Sequence, residues 1–339
     1  MIILLGPDNS GKSTLAQNLV IRSLGTDRPL TSFKAGAATG YKEYIELLRG
    51  PKSNPVDLQT YRPGLAISME GAVVCDRMFY CEIPYSRVLR RQERIQWSLK
   101  QWHNMHLSAL SFNPVVVLAT RRSSRYEDSV PEALFEPILE EYRKTLKVHD
   151  IQYLEYDFQH EDSNEESDFP GMLLDREKTA NDSIKWWLES PELYGVGNTV
   201  DPTVLIMAQD LGPSNVHRIP FEQGPSGYYL SELLDSVGAP LNSFYLTNWI
   251  KDPDPSRNAS LFRKELTSLR PTHVILLGKS AEASLSILDD YVAHSNVHSI
   301  VHPGWVVNHA GTIPEMKRRK EKFWEEWVRA WDKIALALQ

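Results

Sequence analysis

The chain has 339 residues, 42% of them hydrophobic and 24% charged, with a formal net charge of -7. That length corresponds to about two domains, and so average a composition excludes a wholly disordered chain, a collagen and a disulfide-stapled miniprotein. The acidic balance argues against a general nucleic-acid coat or a membrane-surface binder, and leaves room only for local basic patches.

Cys75 and Cys81 are the only cysteines. Two thiols cannot supply a cysteine-ligated iron–sulfur cluster or a four-cysteine zinc site. Thiol-poor composition fits a reducing cytosol, and both cysteines are expected as small buried apolar side chains. The opening MIILLGPDNSGKST has no basic start, and its apolar run is too short for a signal peptide. No stretch approaches the roughly 20 apolar residues of a membrane helix. The expectation is a cytoplasmic protein without a membrane partner.

In chain order, short apolar runs alternate with amphipathic segments. They fall at 2–5, 72–75, 115–119 and 151–156, then at 204–208, 243–246, 274–277 and 297–301. Such runs, separated by helical spans, predict α/β units around parallel sheets. Ligands then bind at the carboxyl ends of the strands. Residues 161–168, EDSNEESD, hold five acids in eight positions and predict a solvated loop. Helical spacing follows over 171–190, and PELYGVGNTVDP at 191–202 reads as a linker. The predicted domains are 1–194 and 195–339. Residues 201–339 carry 14 Lys/Arg against 16 Asp/Glu, so neither half is basic.

The segment Gly6-Pro7-Asp8-Asn9-Ser10-Gly11-Lys12-Ser13 fits G-x-x-x-x-G-K-[ST]. It follows an apolar strand and opens a helix from Thr14, which is the context the motif needs. Gly6 and Gly11 let backbone N–H groups, with Asn9, Ser10 and Thr14, turn inward on phosphate oxygens. Lys12 is expected to reach the β- and γ-phosphates of ATP and Ser13 to ligate Mg²⁺. Asp76-Arg77 ends the second apolar run. Asp76 is a candidate to orient Mg²⁺ or act as base, and Arg77 to hold an acceptor phosphate bidentately. A surface ion pair is the structural alternative. Arg121, Arg122 and Arg125 follow the third run, as in a mobile lid that clamps phosphates or as in a solvated basic loop.

GPDNSGKST, CDRMFYCEIPYS, TRRSSRYEDS and YLEYDF, in this order, resemble the thymidylate and deoxynucleoside monophosphate kinases over about residues 1–190. The resemblance implies a P-loop fold and γ-phosphoryl transfer from ATP to a pyrimidine deoxynucleotide. It implies that Asp8 contacts the nucleotide sugar, that Asp76 and Arg77 serve the reaction, and that the lid arginines are Arg121, Arg122 and Arg125, with Arg122 and Arg125 as catalytic candidates. It places Tyr61 and Arg62 near the acceptor, and a homodimer is common among such kinases.

The second half carries four signals at strand exits. They are Gln209-Asp210 after 204–208, Phe221 among glycines, Asn248 after Tyr245-Leu246-Thr247, and His302-Pro303-Gly304 after 297–301. Each alone is a turn or loop residue. Together they offer an aromatic face to stack on a base, an amide for its Watson–Crick edge, an acid for water and an imidazole for charge on the departing base. The series resembles the uracil-DNA glycosylase superfamily over about residues 195–310, which implies a second α/β/α domain. Gln209 and Asp210 look like the water-activating pair, Phe221 the stacking aromatic, Asn248 the uracil-reading amide and His302 the second-motif histidine. Ala208, Leu211-Gly212-Pro213 and Gly304 depart from the family pattern.

At the C-terminus, Lys317-Arg318-Arg319-Lys320-Glu321-Lys322 starts an amphipathic helix. The spacing of Trp324, Trp327 and Trp331 predicts one buried face.

Three functions compete. The leading one is a bifunctional nucleotide enzyme. In the second, the C-terminal domain flips a base of DNA and the kinase phosphorylates a hydroxyl on it, as on 5-hydroxymethyluracil. Kinases of that kind occur in bacteriophage DNA hypermodification, with the host cytoplasm as compartment. In the third, the C-terminal domain is a catalytically inactive binding module.

Overall fold

The computed structural model describes residues 1–34, 72–89, 106–123, 131–158, 168–189, 194–209, 225–239, 241–252, 254–308 and 311–336. The chain divides into two compact units, Met1–Trp97 with Phe112–Ser183, and Ser98–Ser111 with Ile184–Gln339. Both are α/β, each around a mainly parallel sheet.

In the first unit the strands are β1 (Ile2–Leu5), β2 (Thr31–Lys34), β3 (Val73–Asp76), β4 (Val115–Ala119) and β5 (Leu154–Tyr156). Their spatial order is β2-β3-β1-β4-β5, and every neighbouring pair is parallel. The helices are α1 (Lys12–Ser23), α2 (Glu82–Leu89), α3 (Phe135–Val148) and α4 (Phe169–Ser183). Alternation along each strand sorts side chains between the two faces. Ile2, Leu4, Val74 and Val117 pack with Leu15 and Leu19 of α1 and Leu173 of α4. Ile3, Leu5, Cys75 and Leu118 point the other way and are equally buried. That two-sided burial is why these strands are continuous apolar runs.

The second unit holds β6 (Val196–Gly197), β7 (Val204–Ala208), β8 (Phe244–Asn248), β9 (His273–Leu277) and β10 (Val297–Ile300). The order is β10-β9-β7-β8-β6, parallel except where β6 runs antiparallel to β8. Helix α5 (Lys185–Leu188) precedes the sheet, and α6 (Pro225–Ser236), α7 (Pro255–Leu269), α8 (Leu285–Leu288), α9 (Pro303–Asn308) and α10 (Ile313–Ala335) follow. Asp254 caps α7 through the Ser256 N–H, and Thr312 caps α10 through the Glu315 N–H.

Several expectations shift. The helix expected over 171–190 divides at Ile184 into α4 and α5. The linker at 191–202 contains the edge strand β6. Gly197 adopts φ +124, and a Cβ there would lie 2.4 Å from the Phe244 carbonyl, so this glycine serves close strand approach rather than chain freedom. Strand β2 is a half-polar TSFK and had no apolar run to mark it. The buried stripe of α10 is Phe323, Trp327, Ala330 and Ile334. Trp331 flanks it and stacks on Phe244 at 5.7 Å, whereas Trp324 is 37% exposed. Trp324 is therefore not part of the buried face, because the stripe is centred on Trp327 and excludes its i–3 neighbour. Cys75 and Cys81 are both buried, as expected. Among the described residues no helix is long and apolar enough to cross a membrane.

At the C-terminus of α3, burial assisted by the Arg87 guanidinium pushes the His149 imidazole down to about 4. Burial also lowers His273 and His298, whose rings stack 5.8 Å apart. An imidazole held below its unfolded value of about 6.5 is protonated first in the unfolded chain, so stability falls as pH drops from about 6.5 towards 4. Melting temperature should thus fall between pH 7 and pH 5. His149→Asn should remove roughly 2–4 °C of that fall, as read by scanning calorimetry at the two pH values.

Candidate functional sites

In the first unit, the site forms where the sheet order reverses around β1. The loop leaving β1 is bent by backbone rather than by side chains. Gly6 sits at φ 131, Asn9 at 58 and Gly11 at 83. A Cβ on Gly6 would lie 2.4 Å from the Ala119 carbonyl oxygen, so β4 closes the space behind the loop. Ser10 is fully buried, and its hydroxyl donates to the Pro7 carbonyl at 2.8 Å. Lys12 Nζ donates to the same carbonyl and to Ser10 Oγ, folding the lysine back across its own loop. No side chain caps α1, whose N-cap is Gly11. A helix start without a side-chain cap is in general favourable to an anion.

Strand β3 brings the second part. Ser13 Oγ donates to Asp76 Oδ2 at 2.5 Å, and Asp76 is 3% exposed. Arg77 pairs with Asp8. Arg77 holds φ 73, and its N–H donates to the Leu4 carbonyl at 3.1 Å, locking the β3 exit to β1. A non-glycine residue in that region is uncommon, and such conformations cluster at functional sites. The loop and the β3 exit are therefore joined twice, by Ser13 with Asp76 and by Asp8 with Arg77, while Lys12 is held within the loop itself. The Ser123 N–H donates to the Asn9 carbonyl at 2.7 Å and ties the segment after β4 to the same loop. Arg121 pairs with Asp157, and Arg122 pairs with Glu132 at 2.9 Å. Arg125, Tyr61 and Arg62 lie outside the described residues. Burial pushes the Cys75 thiol up to about 12 and raises Cys81 as well, so neither offers a thiolate here.

In the second unit the order reverses around β7, and four strand exits meet on one edge. Register sets Ala208 opposite Asn248. The Trp249 N–H donates to the Ala208 carbonyl at 2.8 Å and the Ile250 N–H to the Gln209 carbonyl at 2.7 Å, so the two exits stay paired past the strands. Gln209 is exposed and Asn248 is buried. Gly278 donates its N–H to the Ile300 carbonyl, and a Cβ on it would lie 3.0 Å from His302 Cβ. The exit of β9 thus makes room for His302. The Gly304 N–H donates to His302 Nδ1 at 3.0 Å, which places the proton of a neutral ring on Nε2. Asp210 and Phe221 lie outside the described residues.

Beneath this edge lies a group the sequence reading missed. Glu265 of α7 is fully buried. It accepts from the Tyr245 hydroxyl at 2.8 Å, from the Thr247 hydroxyl at 3.0 Å and from the Gly195 N–H at 3.1 Å. Lys251 Nζ pairs with its other oxygen at 2.6 Å and donates to Thr247 Oγ1 at 2.7 Å. Burial lowers the lysine, opposed by the carboxylate, and raises the Tyr245 phenol well above its usual value. The signal was present in the spacing, since Glu265 shares the stripe of Phe262, Leu266 and Leu269, all buried. On α9, the Trp305 ring lies 4.7 Å from the Arg319 guanidinium and 5.7 Å from Lys322 Nζ. Among the described residues no group of three or more His, Cys, Asp or Glu is disposed to hold a metal ion.

A mainly parallel sheet with an amide at the β8 exit and an imidazole after β10, on the same edge, defines the second unit as an α/β domain with polar groups along its carboxyl edge. Residues 194–328 match the family model of the uracil DNA glycosylase superfamily, and this region is a domain of that superfamily. No curated protein matches the sequence.

Two substitutions probe the frameworks. Gly6→Ala should destabilise the first unit by about 3 kcal/mol or more, from strain plus the clash with β4. Glu265→Ala should cost the second unit about 3–5 kcal/mol, because it strands a buried cation. Urea titration reads both losses.

Proposed function

We propose that the chain is an ATP-dependent phosphoryltransferase acting on a pyrimidine deoxynucleotide, joined to a domain that holds a pyrimidine base. The observation that carries the first part is the linked set at the β1 exit, in which Ser13 meets Asp76 at 2.5 Å and Asp8 meets Arg77 beside the phosphate loop. Backbone N–H groups of residues 9–14 would receive the β- and γ-phosphates, and Lys12 would swing from the Pro7 carbonyl onto them. Ser13 and Asp76 are hard oxygen donors suited to Mg²⁺, which commonly takes only one or two protein ligands beside phosphates. That ion supplies charge neutralisation on the transferring group. Arg77 would orient the acceptor phosphate and Asp8 the sugar. Arg122 and Arg125 would close over the reacting groups. An acceptor oxygen bonds to the γ-phosphorus while the bond to the bridging oxygen breaks and ADP leaves. A phosphate acceptor is already anionic and needs no base.

In the second unit, Asn248 would read the base edge and Phe221 would stack on the ring. For excision, Asp210 beside Gln209 would direct a water, and His302 Nε2–H would donate to the departing base. The superfamily match favours a second reading, in which the acceptor is a base of DNA. The nucleophile is then a hydroxyl on a modified base such as 5-hydroxymethyluracil, and Asp76 takes its proton. Without excision, the domain binds only.

The test pairs labelled ATP with a panel of deoxynucleoside monophosphates and with DNA containing thymine or 5-hydroxymethyluracil. Turnover on a free pyrimidine nucleotide, lowered at least about a hundredfold by Lys12→Ala, supports the first reading. Label only in modified DNA supports the second, and no turnover on either overturns both. Release of uracil from DNA that Asp210→Asn abolishes would establish excision, and its absence would leave a binding domain.

A further inference from the structure

We infer that Glu265 and Lys251 are positioning residues for Asn248, holding its amide at the register needed to discriminate one base edge from another; this rests on the reading of Asn248 as the base-reading group.

The two charged residues grip the chain on both sides of Asn248. Thr247, one residue before it, donates to Glu265 at 3.0 Å, and Lys251, three residues after it, pairs with Glu265 at 2.6 Å. The intervening backbone is fixed as well. Trp249 and Ile250 donate to the carbonyls of Ala208 and Gln209 at the β7 exit. The Lys251 and Asp252 N–H groups donate to Asn258 Oδ1 at 2.7 and 2.9 Å. Asn258 and Glu265 both belong to α7, so one helix anchors the turn and the strand end together. Tyr245 and Thr247 alternate with Asn248, so the network occupies one face of β8 and Asn248 the other. Among the described residues no partner engages the Asn248 amide, while its neighbours on either side are bound. A buried ion pair of this kind contributes little net stability over an apolar replacement, whereas its fixed geometry sets where the strand ends.

The test uses the full chain and two oligonucleotides that differ only in one deoxyuridine or deoxycytidine, whose Watson–Crick edges present opposite donors and acceptors. It reads the ratio of their dissociation constants, which a smaller folded fraction leaves unchanged. Asn248→Ala should reduce the wild-type ratio by roughly 10- to 100-fold, the worth of a lost two-bond base contact. Glu265→Gln and Lys251→Met should each reduce it about tenfold, although neither side chain touches the base. Lys251→Met serves where Glu265→Gln does not fold, since it leaves the Tyr245 and Thr247 bonds to Glu265 intact. If Asn248→Ala reduces the ratio and the folded Glu265 or Lys251 variants keep it, the positioning role is overturned and the base-reading role stands. If the wild-type ratio is one, or Asn248→Ala leaves it unchanged, the base-reading role falls and the inference with it.

Discussion

A parallel sheet carries all its strand ends of one kind on one edge, and both units are organised by that constraint. The chain must leave each carboxyl end through a loop, and backbone groups there lie beyond the ladder. Where the strand order reverses, adjoining loops depart to opposite faces and leave a crevice. In the first unit the reversal is at β1, flanked by β3 and β4; in the second it is at β7, flanked by β8 and β9. Among the described residues, Ser13, Asp76, Arg77, Asn248 and His302 all lie at or just beyond these strand exits.

The two units meet the polar demands of that edge differently. At the β1 exit the groups are held by the bent backbone. Asn9 and Arg77 adopt left-handed conformations, and Lys12 is satisfied by a carbonyl of its own loop. At the β8 exit the charges lie under the sheet and are saturated. Glu265 accepts from strand, loop and the Gly195 N–H at once, which suits a fixed edge rather than a moving one.

Legibility followed the range over which each signal acts. The loop at residues 6–13 was legible because glycines, lysine and serine occupy eight consecutive residues between a strand and a helix. Asp76-Arg77 was legible as a pair, but the left-handed φ of Arg77 was not, since nothing local marks a positive φ at an arginine. Strand β2 and strand β6 were missed because short edge strands need no apolar run. Trp324 was misplaced because three tryptophans at helical spacing obscured the stripe of Phe323, Trp327, Ala330 and Ile334. Glu265 was overlooked although its position among Phe262, Leu266 and Leu269 marked an acid on a buried face.

The sequence by itself determined the α/β class, the glycine-bounded loop at residues 6–13 and the candidate residues at each strand exit, because alternation, turn residues and motif spacing act within a few positions. Only the tertiary structure decided the strand orders that bring those exits together, the pairing of Ser13 with Asp76 and of Asp8 with Arg77, and the network of Lys251 and Glu265 around Asn248. Those depend on contacts between residues far apart in the chain, which close packing and hydrogen-bond satisfaction select and local spacing does not encode.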